Sequence, residues 1–174
     1  KQCLVGSEMC IRDRTKTGHS YIKSEISKSN AILGGEMSGH IFYNDNWYGF
    51  DDGIFAALKL LEILSSKEST THEVFNKFTQ LFNTPEIKIA VEDDEKFEIV
   101  EQLKVKLKPE GYNSILIDGL RLENKDCWGL VRASNTTPSL ILRFEANTEQ
   151  KLMEIQELFQ KTLLEINKNL KFLN

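Results

Sequence analysis

A basic surplus is absent from this chain. Its 22 Lys and Arg are outnumbered by 26 Asp and Glu, for a net charge of −4 over 174 residues. A protein that tracks a nucleic-acid backbone needs the opposite balance, so no nucleic-acid partner is expected. Long apolar runs are also missing. None approaches the roughly 20 residues that cross a bilayer, so no membrane partner is expected. Only three cysteines are present, and Cys3 and Cys10 both fall in the first fourteen residues. The remaining Cys127 sits beside a predicted strand, where a lone thiol reads as structural and fits a reducing, cytoplasmic compartment. No signal peptide is visible, which says nothing about any longer parent protein. No internal repeat or low-complexity tract is found.

Two polar loops stand out against this background. The first is Arg132-Ala133-Ser134-Asn135-Thr136-Thr137-Pro138, set between the apolar strands Trp128–Val131 and Leu140–Leu142. It combines a fixed cation, three hydroxyls and an amide within seven residues. Arg offers a planar fork of donors, while hydroxyls and backbone N–H groups add more, a composition suited to a phosphate. An ordinary polar turn has the same composition. The second loop is Gly34-Gly35-Glu36-Met37-Ser38-Gly39-His40, directly after Ala31-Ile32-Leu33. Paired glycines allow a tight turn and close approach of a ligand. In an extended segment Glu36, Ser38 and His40 would all point to one side. A carboxylate, a hydroxyl and an imidazole aimed together can read sugar hydroxyls. Glu36 and His40 alone are too few for a metal site, so no metal ligand is expected here.

These loops, with Thr17-Gly18-His19-Ser20, Gly49-Phe50-Asp51-Asp52-Gly53, Thr84-Pro85-Glu86-Ile87, Asp118-Gly119 and the run Trp128 to Pro138, carry a resemblance. Over about residues 15–170 the chain resembles the C-terminal part of bacterial phosphomannomutases/phosphoglucomutases, in the α-D-phosphohexomutase superfamily. Several motifs in one order and spacing make this specific. The resemblance implies 15–83 as the C-terminal part of domain 3, a truncated three-layer α/β domain with the sugar loop. It implies 84–174 as domain 4, an α+β domain with the phosphate loop, likened to the TATA-binding-protein fold without implying DNA binding. Residues 1–14 match nothing in the family. They read like translated sequencing-adapter sequence, a divergent natural segment being the alternative.

The family's chemistry, so implied, interconverts hexose 1-phosphate and hexose 6-phosphate through a phosphoserine and a glucose or mannose 1,6-bisphosphate, which also serves as activator. Such phosphoryl transfer rests on positioning and charge neutralisation. Arg132, Ser134, Asn135, Thr136 and, more weakly, Thr137 map onto the loop for the non-reacting phosphate. Glu36 and Ser38 map onto the readers of the sugar 3- and 4-hydroxyls, with His40 in the same loop. His40 and His19 are the candidate general acid–base groups. His72 reads as exposed, and Asp51 and Asp52 read as helix caps. Met37 resembles the glucose/mannose type of enzyme, so dual specificity is expected. The serine loop and the Asp-rich Mg2+ loop have no counterpart in the chain. The expectation is therefore a fragment, inactive without the N-terminal domains of the same protein. A stand-alone sugar-phosphate-binding module is the alternative.

Periodicity places helices at 18–29, 54–64, from 70 to about 81, from 93 or 94 to 107, and after Asn147-Gln150, which resembles a capping box. Strands are expected at 31–36, 41–43, 47–50, 87–92, 114–117, 120–123, 128–132 and 139–145. Pro85, after Asn83-Thr84, marks the domain boundary. The helix over 54–64 is apolar nearly all round and should be buried.

Overall fold

A computed structural model of the chain describes residues 13–172. The leader assigned to residues 1–14 thus lies almost wholly outside the described residues. The chain divides into two units between Thr79 and Gln80. The break precedes Pro85 because Phe82–Asn83 already pairs into the sheet of the second unit.

The first unit begins with α1 (His19–Ser29), which ends on Asn30 in the left-handed conformation. Ile22 and Ile26, one turn apart, bury against Phe42, while Tyr21 is turned to solvent. Strands β1 (Leu33–Gly35) and β2 (Ile41–Tyr43) form an antiparallel hairpin with Gly35 opposite Ile41. The Gly-rich segment is therefore the turn of this hairpin. No strand forms over 47–50, where one is expected; only Phe42 bridges to Asp51. The Trp47 ring instead stacks on Phe55 at 4.0 Å and its N–H bonds Asp52 at 3.3 Å, which draws the segment onto the next helix.

That helix, α2 (Gly53–Ser65), is capped by Asp52, whose carboxylate accepts the Phe55 N–H at 2.9 Å. The expectation of a buried helix is wrong. No α2 residue is buried, and Ile54 and Leu61 are 79% and 61% exposed. An apolar helix buries only where a partner layer is supplied. Helix α3 (Thr71–Phe75) has a full capping box between Thr70 and Glu73 but stops well short of Leu81. Phe75 and Phe78 stay exposed, so no packing extends it.

The second unit is a six-stranded antiparallel sheet with two helices. Its strands are β3 (Phe82–Asn83), β4 (Ile87–Ala90), β5 (Asn113–Ile115), β6 (Leu120–Glu123), β7 (Cys127–Ala133) and β8 (Ser139–Ala146). The order runs β8-β7-β6-β5, with β3 and β4 both paired along the other edge of β8. Pro85 interrupts that edge because it has no N–H for the ladder. Thr84 spans the gap: its N–H reaches the Phe144 carbonyl and its hydroxyl oxygen accepts the Phe144 N–H.

Helices α4 (Glu95–Lys106) and α5 (Glu149–Ile166) bury one stripe each. Ile99, Val100, Leu103, Ile155, Phe159 and Leu163 pack with Leu120, Leu122, Val131, Leu140, Leu142 and Phe144 in one core. Each such side chain contributes about 1.5–3 kcal/mol on burial, offset by the entropy of ordering it. On α4 Phe97 is exposed, whereas Ile99 is buried. Thr148, not Asn147, caps α5, because the Asn147 amide is held by Asp126. The expected α+β layering is present.

Candidate active site

The hairpin turn and the start of α1 bring four of the singled-out side chains together. The Gly39 N–H bonds the Glu36 carbonyl at 3.0 Å, and Gly39 takes φ +93°, a backbone that favours glycine. Residues 36–39 thus form a tight turn, and the expected alternation of Glu36, Ser38 and His40 along an extended strand does not occur. The turn itself joins the first two: Ser38 Oγ donates to Glu36 Oε2 at 3.1 Å. Glu36 Oε1 accepts the Gly18 N–H at 3.2 Å, tying the turn to the residue before His19. Each carboxylate oxygen keeps lone-pair capacity for a ligand hydroxyl.

His40 faces Asp51. Its Nδ1 lies 2.7 Å from Asp51 Oδ2, and His19 Nε2 lies 3.4 Å from the same oxygen. The His19 and His40 rings meet edge-on at 4.6 Å, and His19 also rests edge-on against Phe42. An ionised carboxylate only accepts, so the His40 proton sits on Nδ1 and Nε2 is the nitrogen left for a ligand. Partial burial pushes the Asp51 carboxyl up. The hydrogen bond and charge of His40, the Ile41 N–H and His19 outweigh it and hold the group below its ordinary value. Asp51 is therefore no helix cap, and the sequence reading missed its part in the site. Asp51 reaches the site by pairing with β2 opposite Phe42, two residues on from His40. His72, as expected, is exposed on α3.

The second loop lies in the second unit, between β7 and β8. Burial along β7 alternates strictly from Cys127 to Ala133, so Arg132 points away from the helices while Val131 and Ala133 point in. Arg132 is half-buried and, among the described residues, has no ion-pair partner. Ser134 is buried, and its Oγ accepts from the Thr136 N–H, the Thr137 N–H and the Thr137 hydroxyl at 3.3, 3.1 and 2.8 Å. Asn135, Thr136 and Thr137 are exposed on the turn.

Two further cations belong to this region and escaped the sequence reading. Lys96, its side chain 5% exposed, bonds Asp93 at 2.6 Å and the Thr137 carbonyl at 3.3 Å, so it holds the turn from α4. Arg143 is a diagonal neighbour of Arg132 on the same sheet face, from the pairing of Arg132 with Ile141 and Leu130 with Arg143. Its Nε is buried with no protein partner among the described residues. The outward alternation of Ile141, Arg143 and Glu145 on β8 is the signal that could have found it.

Comparison with known proteins decides what family these loops belong to. The family model described as "Phosphoglucomutase/phosphomannomutase, alpha/beta/alpha domain III" matches residues 8–82, and the C-terminal-domain model of the same family matches residues 86–161. The chain belongs to the phosphoglucomutase/phosphomannomutase family. The domain III match begins inside the stretch set aside as leader. A Pseudomonas aeruginosa phosphomannomutase/phosphoglucomutase is 47% identical over 155 residues, covering 89% of this chain and 34% of that protein. A Neisseria meningitidis phosphoglucomutase is 49% identical over 157 residues, again 89% and 34%. A crystal structure of a phosphoglucomutase/phosphomannomutase family protein from Burkholderia thailandensis superposes with a TM-score of 0.82 at 38% identity. It covers 91% of this chain and 33% of that one. The chain thus spans about a third of the length of the curated phosphohexomutases it matches.

Magnesium, which the resemblance places in the family, does not suit the residues of this site. Mg2+ takes oxygen ligands in octahedral geometry, whereas two imidazoles and one carboxylate converge at Asp51.

Proposed function

We propose that this chain supplies the substrate-holding part of a phosphohexomutase that interconverts hexose 1-phosphate and hexose 6-phosphate through a phosphoserine and a hexose 1,6-bisphosphate. The serine and the Mg2+ site belong to sequence outside these 174 residues, and the cytoplasm is where such an enzyme works. Glu36 and Ser38 accept and donate to the sugar hydroxyls, with the turn closed by Gly39 fixing their angle. Arg132, with Asn135, Thr136 and Thr137, holds the phosphate that is not being transferred. Ser134 shapes the turn around it. His40 presents Nε2 for proton exchange with a sugar hydroxyl, and His19 is the second imidazole of the pair. The phosphoserine loop of the resemblance has no counterpart in the sequence, so the isolated chain should not turn over glucose 1-phosphate or mannose 1-phosphate. Reading hydroxyls 3 and 4 leaves carbon 2 unread, which supports a dual glucose and mannose enzyme.

The observation that carries this reading is the half-buried Arg132, without an ion-pair partner among the described residues, beside a turn rich in hydroxyls. A guanidinium placed so favours a dianion that it can grip bidentately. The test is an NMR titration of the 174-residue chain with glucose 6-phosphate, mannose 6-phosphate and glucose. Both phosphates should shift the amides of 133–137, and glucose should bind more weakly. Arg132→Ala should remove about one to two decades of the phosphate's contribution, the worth of a charge-assisted hydrogen bond. If Arg132→Ala leaves that contribution unchanged, the loop is an ordinary turn and the reading falls.

A further inference from the structure

Three potential ligands converge where the sequence reading expected no metal. His19, His40 and Asp51 each offer one atom, and the three atoms lie within 4.8 Å of one another. They come from three separate places in the chain: the first residue of α1, the end of the hairpin turn, and the bridge that precedes α2. We propose that these three side chains form a site for a divalent ion of borderline softness, with Zn2+ as the type.

The donor set suits that class. Two imidazole nitrogens and one carboxylate oxygen are ligands that Zn2+, Co2+ and Ni2+ share, and that Mg2+ and Ca2+ do not favour. Bond lengths of about 2.0–2.2 Å place the ligand atoms of a tetrahedral zinc site about 3.3 Å apart. Asp51 Oδ2 already stands 3.4 Å from His19 Nε2. The 2.7 Å contact with His40 must open by about half an ångström, and the proton now shared there must leave, as metal ligation requires. The side chains of His19 and His40 are 52% and 44% exposed, leaving room for that movement and for a fourth, open position. Asp51 is held from behind, since its Oδ1 accepts the Ile41 N–H at 3.2 Å. That bond orients the carboxylate whether or not an ion is present. Glu36 is tied to Gly18 and Ser38, so it is not a fourth ligand in this arrangement. If the acid–base reading of the two histidines holds, an ion here opposes it, because ligation through His40 Nδ1 leaves the neutral ring's one proton on Nε2, which then cannot accept another. The site itself does not depend on that reading.

The experiment titrates Zn2+ into the full chain by calorimetry, with Co2+ absorption as a spectroscopic check. Cys3 and Cys10 are first replaced by Ser, so that neither thiol competes; Cys127 is buried. One Zn2+ should bind saturably, and Co2+ should give the visible bands of a tetrahedral or five-coordinate site. His19→Gln should weaken binding at least as much as losing an outer-shell partner does, about 10–100-fold. Asp51→Asn, which keeps an acceptor for Ile41, should do the same. His72→Gln should change nothing. Because the His19 side chain is half exposed, His19→Gln tests the site without risk to the fold, and circular dichroism checks Asp51→Asn. Absence of saturable binding to the starting protein overturns the proposal, and so does equal binding by His19→Gln. The sugar-phosphate titration, read at Arg132 in the other unit, stands or falls separately.

Discussion

Ser134 shows how a residue assigned to a ligand can instead serve the loop. Its oxygen takes three donors from Thr136 and Thr137, so its removal leaves all three without that acceptor beneath the turn. Ser134→Ala should therefore cost about 1–3 kcal/mol, read as a lower urea midpoint with an unchanged slope. An unchanged midpoint would show that these bonds are not made in solution. Tyr112 makes a prediction about alkali. Burial, then the hydrogen bond and charge of Cys127, push its phenol up to about 12 from an ordinary 10.0. The folded state thus keeps a proton that the unfolded chain gives up. The stability this contributes is complete below pH 10 and is lost as pH climbs toward 12. Urea midpoints measured from pH 9 to 12 should fall in the natural chain, and fall less in Tyr112→Phe. Parallel declines in both proteins would contradict the assignment.

At the scale of elements, α2 and α5 are a controlled pair. Both are apolar in sequence, but only α5 buries its stripe. Phe159→Ala removes a ring that is 0% exposed and packs edge-on with Phe144, and it should cost about 3–5 kcal/mol. Leu61→Gln on α2 should stay within about 0.5 kcal/mol, since Leu61 is 61% exposed. Urea denaturation of the two variants checks this. A loss at Leu61 as large as that at Phe159 would mean that α2 is covered in solution. The sequence showed which residues of α2 are apolar, but burial depends on a second layer that no local pattern reveals. The same limit explains α3, whose capping box is legible but whose length is set by absent packing. Where the period is supported by a real neighbour, as in β6, β7, β8 and the start of α5, the sequence placed the element to within a residue or two.

For the molecule as a whole, the two units differ in what holds them. The first closes on three buried side chains, Ile22, Ile26 and Phe42, whereas the second has one continuous core under its sheet. The candidate site was legible wherever chemistry lies within one loop: Glu36 with Ser38, and Arg132 with its hydroxyls. It was illegible where distant segments meet, as with Asp51 at the two histidines and Lys96 beneath the Thr137 carbonyl. Those contacts are products of topology, and no spacing in the chain encodes them. The alternation along β7 carries a last consequence, for how such a chain can change its length over time. Arg132 faces outward by parity alone. One residue gained or lost between Cys127 and Arg132 would turn the guanidinium into the core and expel Val131, whereas a change of two would restore the face. Lineages that vary in length should therefore do so at the exposed connections, and within 127–146 only in even steps or in compensated pairs.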